Sequence, residues 1–130
     1  NFDLEKKVAN AVNHLISKGL ISSCHDISDG GVAVALIEMC IAKNSSFEFV
    51  KKKFSNTFLF AEDQSRYIVS IHPELVKQVE RFLNSQQIHF DKIGKFLTHN
   101  FKVLNFPDKS FITLKNLTNI RNKWLKRLDN

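Results

Sequence analysis

Apolar residues recur at helical spacing from the start of the chain: Leu4, Val8, Val12, Leu15 and Ile16 fall on one face of a first helix. Asn1 or Asp3 suits its start, and Gly19 suits the left-handed residue that closes a helix. Leu20 to His25 is short and bounded, and predicts a strand. Gly31 to Ala42 is apolar almost all round, which predicts a second helix sandwiched inside the fold rather than lying on its surface. Lys43-Asn44-Ser45-Ser46 ends it. Phe47 and Phe49, extended toward Phe54, alternate with polar neighbours as a strand does. Tyr67, Val69 and Ile71 alternate with Ile68 and Ser70 in another. Pro73 stands where a helix begins, and Leu75, Val76, Val79, Phe82 and Leu83 supply that helix with an apolar face. Three strands are predicted beyond it, Ile88 to Leu97, Phe101 to Asn105 and Phe111 to Leu114, separated by turn residues. Leu117, Ile120, Trp124 and Leu128 mark a last helix, with cations toward its C-terminal end.

The predicted order, α-β-α-β-β-α-β-β-β-α, mixes helices and strands without a strict βαβ repeat. It predicts an α+β fold: a mixed or antiparallel sheet with helices packed over it. No internal repeat or low-complexity linker interrupts residues 1–130, so they are expected to form a single domain. Hydrophobic residues make up 43% of the chain, enough for a real core, and twelve Phe against one Trp and one Tyr make that core Phe-rich. No apolar run reaches the roughly 18–20 residues of a membrane span, and no secretory signal is expected. Neither a membrane nor a nucleic-acid partner is expected. The net charge is +6, but its cations are scattered along the chain, and a nucleic-acid binder would need them to converge on one basic face interleaved with aromatics.

Cys24 and Cys40 are the two cysteines. A helix of a dozen residues between them spans about 18 Å, whereas a disulfide needs Cα atoms within about 7 Å. Two free thiols and a reducing, cytoplasmic setting are therefore expected. The first residue is Asn1 and the only methionine is Met39, so a piece of a longer protein is expected, with a site that other parts can share.

The chemistry concentrates in Cys24 to Cys40, where Asp26, Asp29 and the pair Gly30-Gly31 precede the apolar helix. Ser28 or Asp29 can cap that helix, and both aspartates favour its positive end. Two glycines at a helix start also suggest close approach, either by packed backbone or by a ligand. The aspartates would repel a phosphate unless Mg²⁺ lay between, joining carboxylate to phosphate oxygens. Capping and metal-bridged nucleotide binding both fit these residues. Glu62, Asp63, Gln64 and Arg66 form a second cluster before a strand; they suit either ligand contacts or a solvated turn with local ion pairs. His25 stands beside Asp26, but no nucleophile with a partner accompanies it. His14, His72, His89 and His99 lack metal-ligand spacing.

These segments, "GLISSCHDISDGGVAVALIEMCIA", "LFAEDQSRYIVSI", "KIGKF" and "LTNIRNKWLKRL", resemble in sequence order the C-terminal part of phosphoribosylformylglycinamidine synthase, synthetase subunit. That enzyme belongs to the aminoimidazole ribonucleotide synthetase-like superfamily, and the likeness covers nearly the whole chain. It implies the superfamily's α+β C-terminal domain, taken from the second of two domain pairs. It implies a ligase of purine synthesis that uses ATP, Mg²⁺ and glutamine-derived ammonia to turn formylglycinamide ribonucleotide into the amidine. The implied partners are N-terminal ATP-binding domains and a glutaminase partner or domain, and a homodimer is a further expectation. By the same resemblance Asp26 matches a metal contact, and Glu62 and Gln64 match substrate contacts; Gly30 and Gly31, which suggest close approach, are expected beside them among the substrate- or nucleotide-binding residues. No catalytic residue is expected here, because the family's catalytic histidine lies in other parts. Cys24, Val32 and the sequence Glu62-Asp63-Gln64 depart from the usual alanine, leucine and Glu-Ser-Gln. The alternatives are a structural or interaction module with only an auxiliary nucleotide site, or another member of the superfamily.

Overall fold

The computed structural model describes residues 2–50, 54–62, 65–98, 102–106 and 109–113. Gln64, Asp63 and the helix expected around Leu117 to Leu128 lie outside them. The elements are α1 (Phe2–Ser17), β1 (Ser23–Asp26), α2 (Gly31–Lys43), β2 (Ser45–Phe49), α3 (Asn56–Phe60), β3 (Tyr67–Ser70), α4 (Val76–Ser85), β4 (Gly94–Thr98), β5 (Lys102–Asn105) and β6 (Phe111–Thr113). A 3-10 turn, Pro73–Leu75, leads into α4. The fold is α+β, as the sequence predicts. The described residues of 1–35 with 56–91 form one compact unit, and the described residues of 36–55 with 92–130 form another.

In the first unit α1 closes on Gly19, whose φ is +64°. The Leu20 N–H donates to the Leu15 carbonyl and the Gly19 N–H to that of Ile16, both at 3.0 Å. This is the paired cap that satisfies a helix's last carbonyls. It places Leu20 beside Leu15, and with Val79 they form the unit's buried cluster, against which Ile21, Ile71, Leu75, Phe82 and Leu83 pack. His14 stacks on Phe82 with ring centroids 4.5 Å apart. β1 and β3 form an antiparallel ribbon running from the pair Ser23–Ser70 to the pair Asp26–Tyr67. At its first end Ser70 Oγ lies 2.6 Å from Ser22 Oγ and 2.7 Å from Ser23 Oγ.

Among the described residues of the second unit four strands lie in the order β4-β2-β5-β6. β2 is antiparallel to β4 and parallel to β5, and β5 is antiparallel to β6. The strands thus divide between two sheets, where the sequence predicts one. Strand pairing is a long-range property that alternation within a strand does not encode. Buried Phe47 and Phe49 anchor this sheet. Phe47 meets Phe96 edge-on at 5.1 Å across the β2–β4 pair, and Phe49 stacks on Phe106 at 4.9 Å. Such contacts stabilise beyond their buried area. Lys43 Nζ lies 5.1 Å from the Phe96 ring centre, and Lys95 Nζ pairs with Glu48 Oε2 at 3.1 Å.

Two further expectations are corrected, and one element is added. The strand expected from Ile88 begins only at Gly94, because α4 ends in a second paired cap: Gln87 takes φ +51° and the Ile88 N–H returns to Leu83 O. The region before β3 contains the short helix α3, a single turn too brief to show helical periodicity. Helix α2 is not buried all round: Val32, Ala33, Ala35, Leu36, Met39 and Cys40 are buried, while Val34 and Ile41 are 37% and 55% exposed. Both cysteines are free, as expected.

Candidate functional site

The Asp26 and Glu62 loops lie at one end of the β1–β3 ribbon, within the first unit. Asp26 closes β1 opposite Tyr67, the first residue of β3. The ladder continues one step further, where the Ile27 N–H donates to the Arg66 carbonyl at 2.9 Å. The residues after Asp26 and those before Tyr67 are therefore brought side by side by strand pairing, far apart as they are in sequence.

A second tie follows. The Gly30 N–H donates to Glu62 Oε1 at 2.9 Å. Among the described residues the side chain bonded at the start of α2 is thus that of Glu62. Ser28 contributes its carbonyl instead, to which the Gly31 N–H donates at 3.0 Å. A carboxylate at this place satisfies a donor that the helix cannot pair itself and complements the positive end of its dipole.

The third tie explains the glycine pair. Gly30 and Gly31 have φ of +83° and +69°, the left-handed region. A Cβ on Gly31 would lie 2.6 Å from the Leu59 carbonyl oxygen and 2.8 Å from Phe60 Cα. The close approach that two glycines suggest is made, at Gly31, by the backbone of α3. Phe58 on the same helix carries the Arg66 guanidinium over its ring, 5.3 Å from the centroid. Helix α3 is thus wedged between Gly31 and Arg66. It is the feature of the site that the sequence reading missed, and the only hint was an apolar "FLF" placed directly before the Glu62 cluster.

The Asp26 side chain is 70% exposed, so its carboxylate is open to a ligand. His25 Nδ1 lies 2.6 Å from the Asp26 carbonyl oxygen, which requires that nitrogen to carry the proton it donates. Burial and then the charge of Asp26 push the Cys24 thiol up, so Cys24 is a poor nucleophile. The described residues contain no group of three or more His, Cys, Asp or Glu placed to hold a metal ion. One exposed carboxylate still fits Mg²⁺, which typically takes one or two protein carboxylates and completes its shell with phosphate and water.

Comparison with known proteins gives the chain a family. The family described as AIR synthase related protein, C-terminal domain, matches residues 1–103. The chain belongs to that family. Among its relatives is the phosphoribosylformylglycinamidine synthase subunit PurL of Bartonella bacilliformis, 31% identical over 132 residues, which span 98% of this chain and 17% of the relative. A similar fold is seen in T. maritima PurL complexed with ATP, with a TM-score of 0.71 at 15% identity over 86% of this chain and 21% of that one. The same protein complexed with FGAR gives 0.72 at 16% identity over 87% and 20%. The chain therefore spans about a fifth of the relatives it matches. Among the described residues no helix is long and apolar enough to cross a membrane.

Proposed function

We propose that this chain is the C-terminal domain of an ATP-dependent, amidine-forming ligase of purine synthesis. The complete enzyme would convert formylglycinamide ribonucleotide into formylglycinamidine ribonucleotide with ATP, Mg²⁺ and glutamine-derived ammonia. The observation that carries the reading is the match to synthase subunits along nearly the whole chain, joined to strand pairing that brings Asp26, Gly30 and Glu62 to one ribbon end. In this reading the two compact units act together as one domain over residues 1–130. Asp26 would hold Mg²⁺, which when bound supplies charge neutralisation to phosphate oxygens. Glu62, Gln64, Gly30 and Gly31 would form the nucleotide or substrate edge.

The N-terminal ATP-binding domains of the same enzyme and a glutaminase are the partners in this reading. Exposed Phe2, Leu4 and Ile16 on α1 support a covered surface there, with a second copy of the chain as the other occupant. The free thiols support a cytoplasmic setting. A second reading has its own observation. The Gly30 N–H is already taken by Glu62 and Gly31 is filled by α3 backbone, which favours a supporting module whose nucleotide site is auxiliary.

Asp26→Asn in the complete enzyme separates the two. The first reading expects ATP-dependent turnover to fall about tenfold or more, the loss of roughly one charge-assisted contact, with a raised Mg²⁺ requirement. Unchanged turnover and Mg²⁺ requirement would leave Asp26 as a helix-start residue of the supporting module.

A further inference from the structure

Glu62 differs from the other two ties at the ribbon end. The Ile27–Arg66 bond and the contact of Gly31 with α3 are made by backbone. The Glu62 bond is made by a charged side chain that is exposed on the surface, where water could hydrate it equally well. It turns inward to a backbone N–H that stands at the positive end of α2, a helix of 13 residues. A carboxylate there makes a charge-assisted bond, about twice as strong as a neutral one. The residues it holds are permissive ones. Gly30 and Gly31 are both left-handed, and glycine passes readily between φ regions, so nothing in their own chemistry fixes the path from Asp26 into α2.

We infer that Glu62 is a positioning residue, which acts through the Gly30 N–H to fix the Asp26–Gly31 loop against the loop that precedes β3. Its Oε1 is engaged with the protein's own backbone, so that, beside any part in the ligand edge proposed above, it holds the segment carrying Asp26 and Asp29 in place. The inference takes from the proposed function only the idea that this ribbon end faces a ligand. The clamp itself stands on the geometry.

Amide hydrogen exchange in the ¹⁵N-labelled chain tests it, with Glu62→Ala and Glu62→Gln beside the unaltered chain. Loss of a bond to a charged group is expected to speed exchange at Gly30 about tenfold or more in E62A, with exchange at buried Val79 unchanged. E62Q keeps an acceptor oxygen of the same reach and is expected to restore part of the protection. Equal Gly30 exchange in E62A and the unaltered chain would overturn the inference, as would E62Q exchanging as fast as E62A. If E62A loses protection at Val79 as well, E62Q decides: faster exchange at Gly30 alone supports the clamp, and none overturns it. This readout involves no turnover. It can therefore fail while the Asp26 experiment succeeds, or succeed while that one fails.

Discussion

The Leu59 carbonyl oxygen lies where a side chain on Gly31 would have to begin, 2.6 Å from an ideal Cβ. Backbone cannot move aside as a flexible side-chain tip can, and φ +69° adds strain for any L-residue. Gly31→Ala is expected to destabilise the chain by about 2–4 kcal/mol, combining left-handed strain with forced displacement. Gly19 also has positive φ but has nothing within 4 Å of its Cβ position, so Gly19→Ala should cost only about 1–2 kcal/mol. Urea unfolding of both variants checks the ordering. Equal losses would mean that α3 does not press on Gly31.

Leu15 is 1% exposed and joins Leu20 and Val79 in the first unit's core. Leu15→Ala should cost about 2–5 kcal/mol through lost burial and a residual cavity. Its partner in the cap, Leu20, depends on it for position, so the double variant Leu15→Ala/Leu20→Ala should lose less than the sum of the singles. Denaturation midpoints of the three variants measure this. Strict additivity would contradict the packed cap.

The second unit offers a contrast between apolar and ionic contacts. The Lys95–Glu48 pair is largely solvent-exposed, 60% and 47%, and Lys95→Ala should change stability by less than about 1 kcal/mol. Phe47 is 2% exposed and touches both Phe49 and Phe96. Phe47→Ala should cost about 3–5 kcal/mol. Thermal unfolding of the two variants decides whether the rings or the ion pair hold β2 to β4.

Burial pushes the Cys40 thiol up to about 11, with Ser45 and Lys43 offsetting part of the rise. The folded chain keeps this proton above the ordinary value of 9.0, where the unfolded chain releases it. The unfolded state therefore binds fewer protons between pH 9 and 11, and stability falls as pH rises through that window. Cys40→Ser should show a shallower decline. Thiol labelling of the native chain near pH 8 should be slow at Cys40, which is fully buried, and fast only after unfolding. Rapid native labelling would contradict its burial.

Much of the element order was legible because it rests on local signals. Leu15 and Gly19 mark the end of α1, Pro73 marks the turn into α4, and the alternation through Phe47 and Phe49 marks β2. The end of α4 was hidden because Gln87, not glycine, takes the left-handed position there. The division into two sheets was hidden because pairing Phe47 with both Phe96 and Leu104 depends on segments far apart in sequence. At the site, Asp26 and the Glu62 cluster stood out as charges beside glycines. What Glu62 touches could not be read, since its partner is a backbone N–H that looks the same in every residue. The glycine pair pointed correctly to a close approach but not to α3 as the group approaching.

In the function proposed above, this chain completes a synthase that it cannot replace. The most direct measurement exchanges the chain for the corresponding C-terminal segment of the Bartonella bacilliformis subunit, then follows ammonia- and ATP-dependent amidine formation beside the isolated chain. Turnover is expected in the exchanged subunit and none from the chain alone. Turnover by the chain alone above a protein-free blank, or a folded exchanged subunit with none, would contradict it.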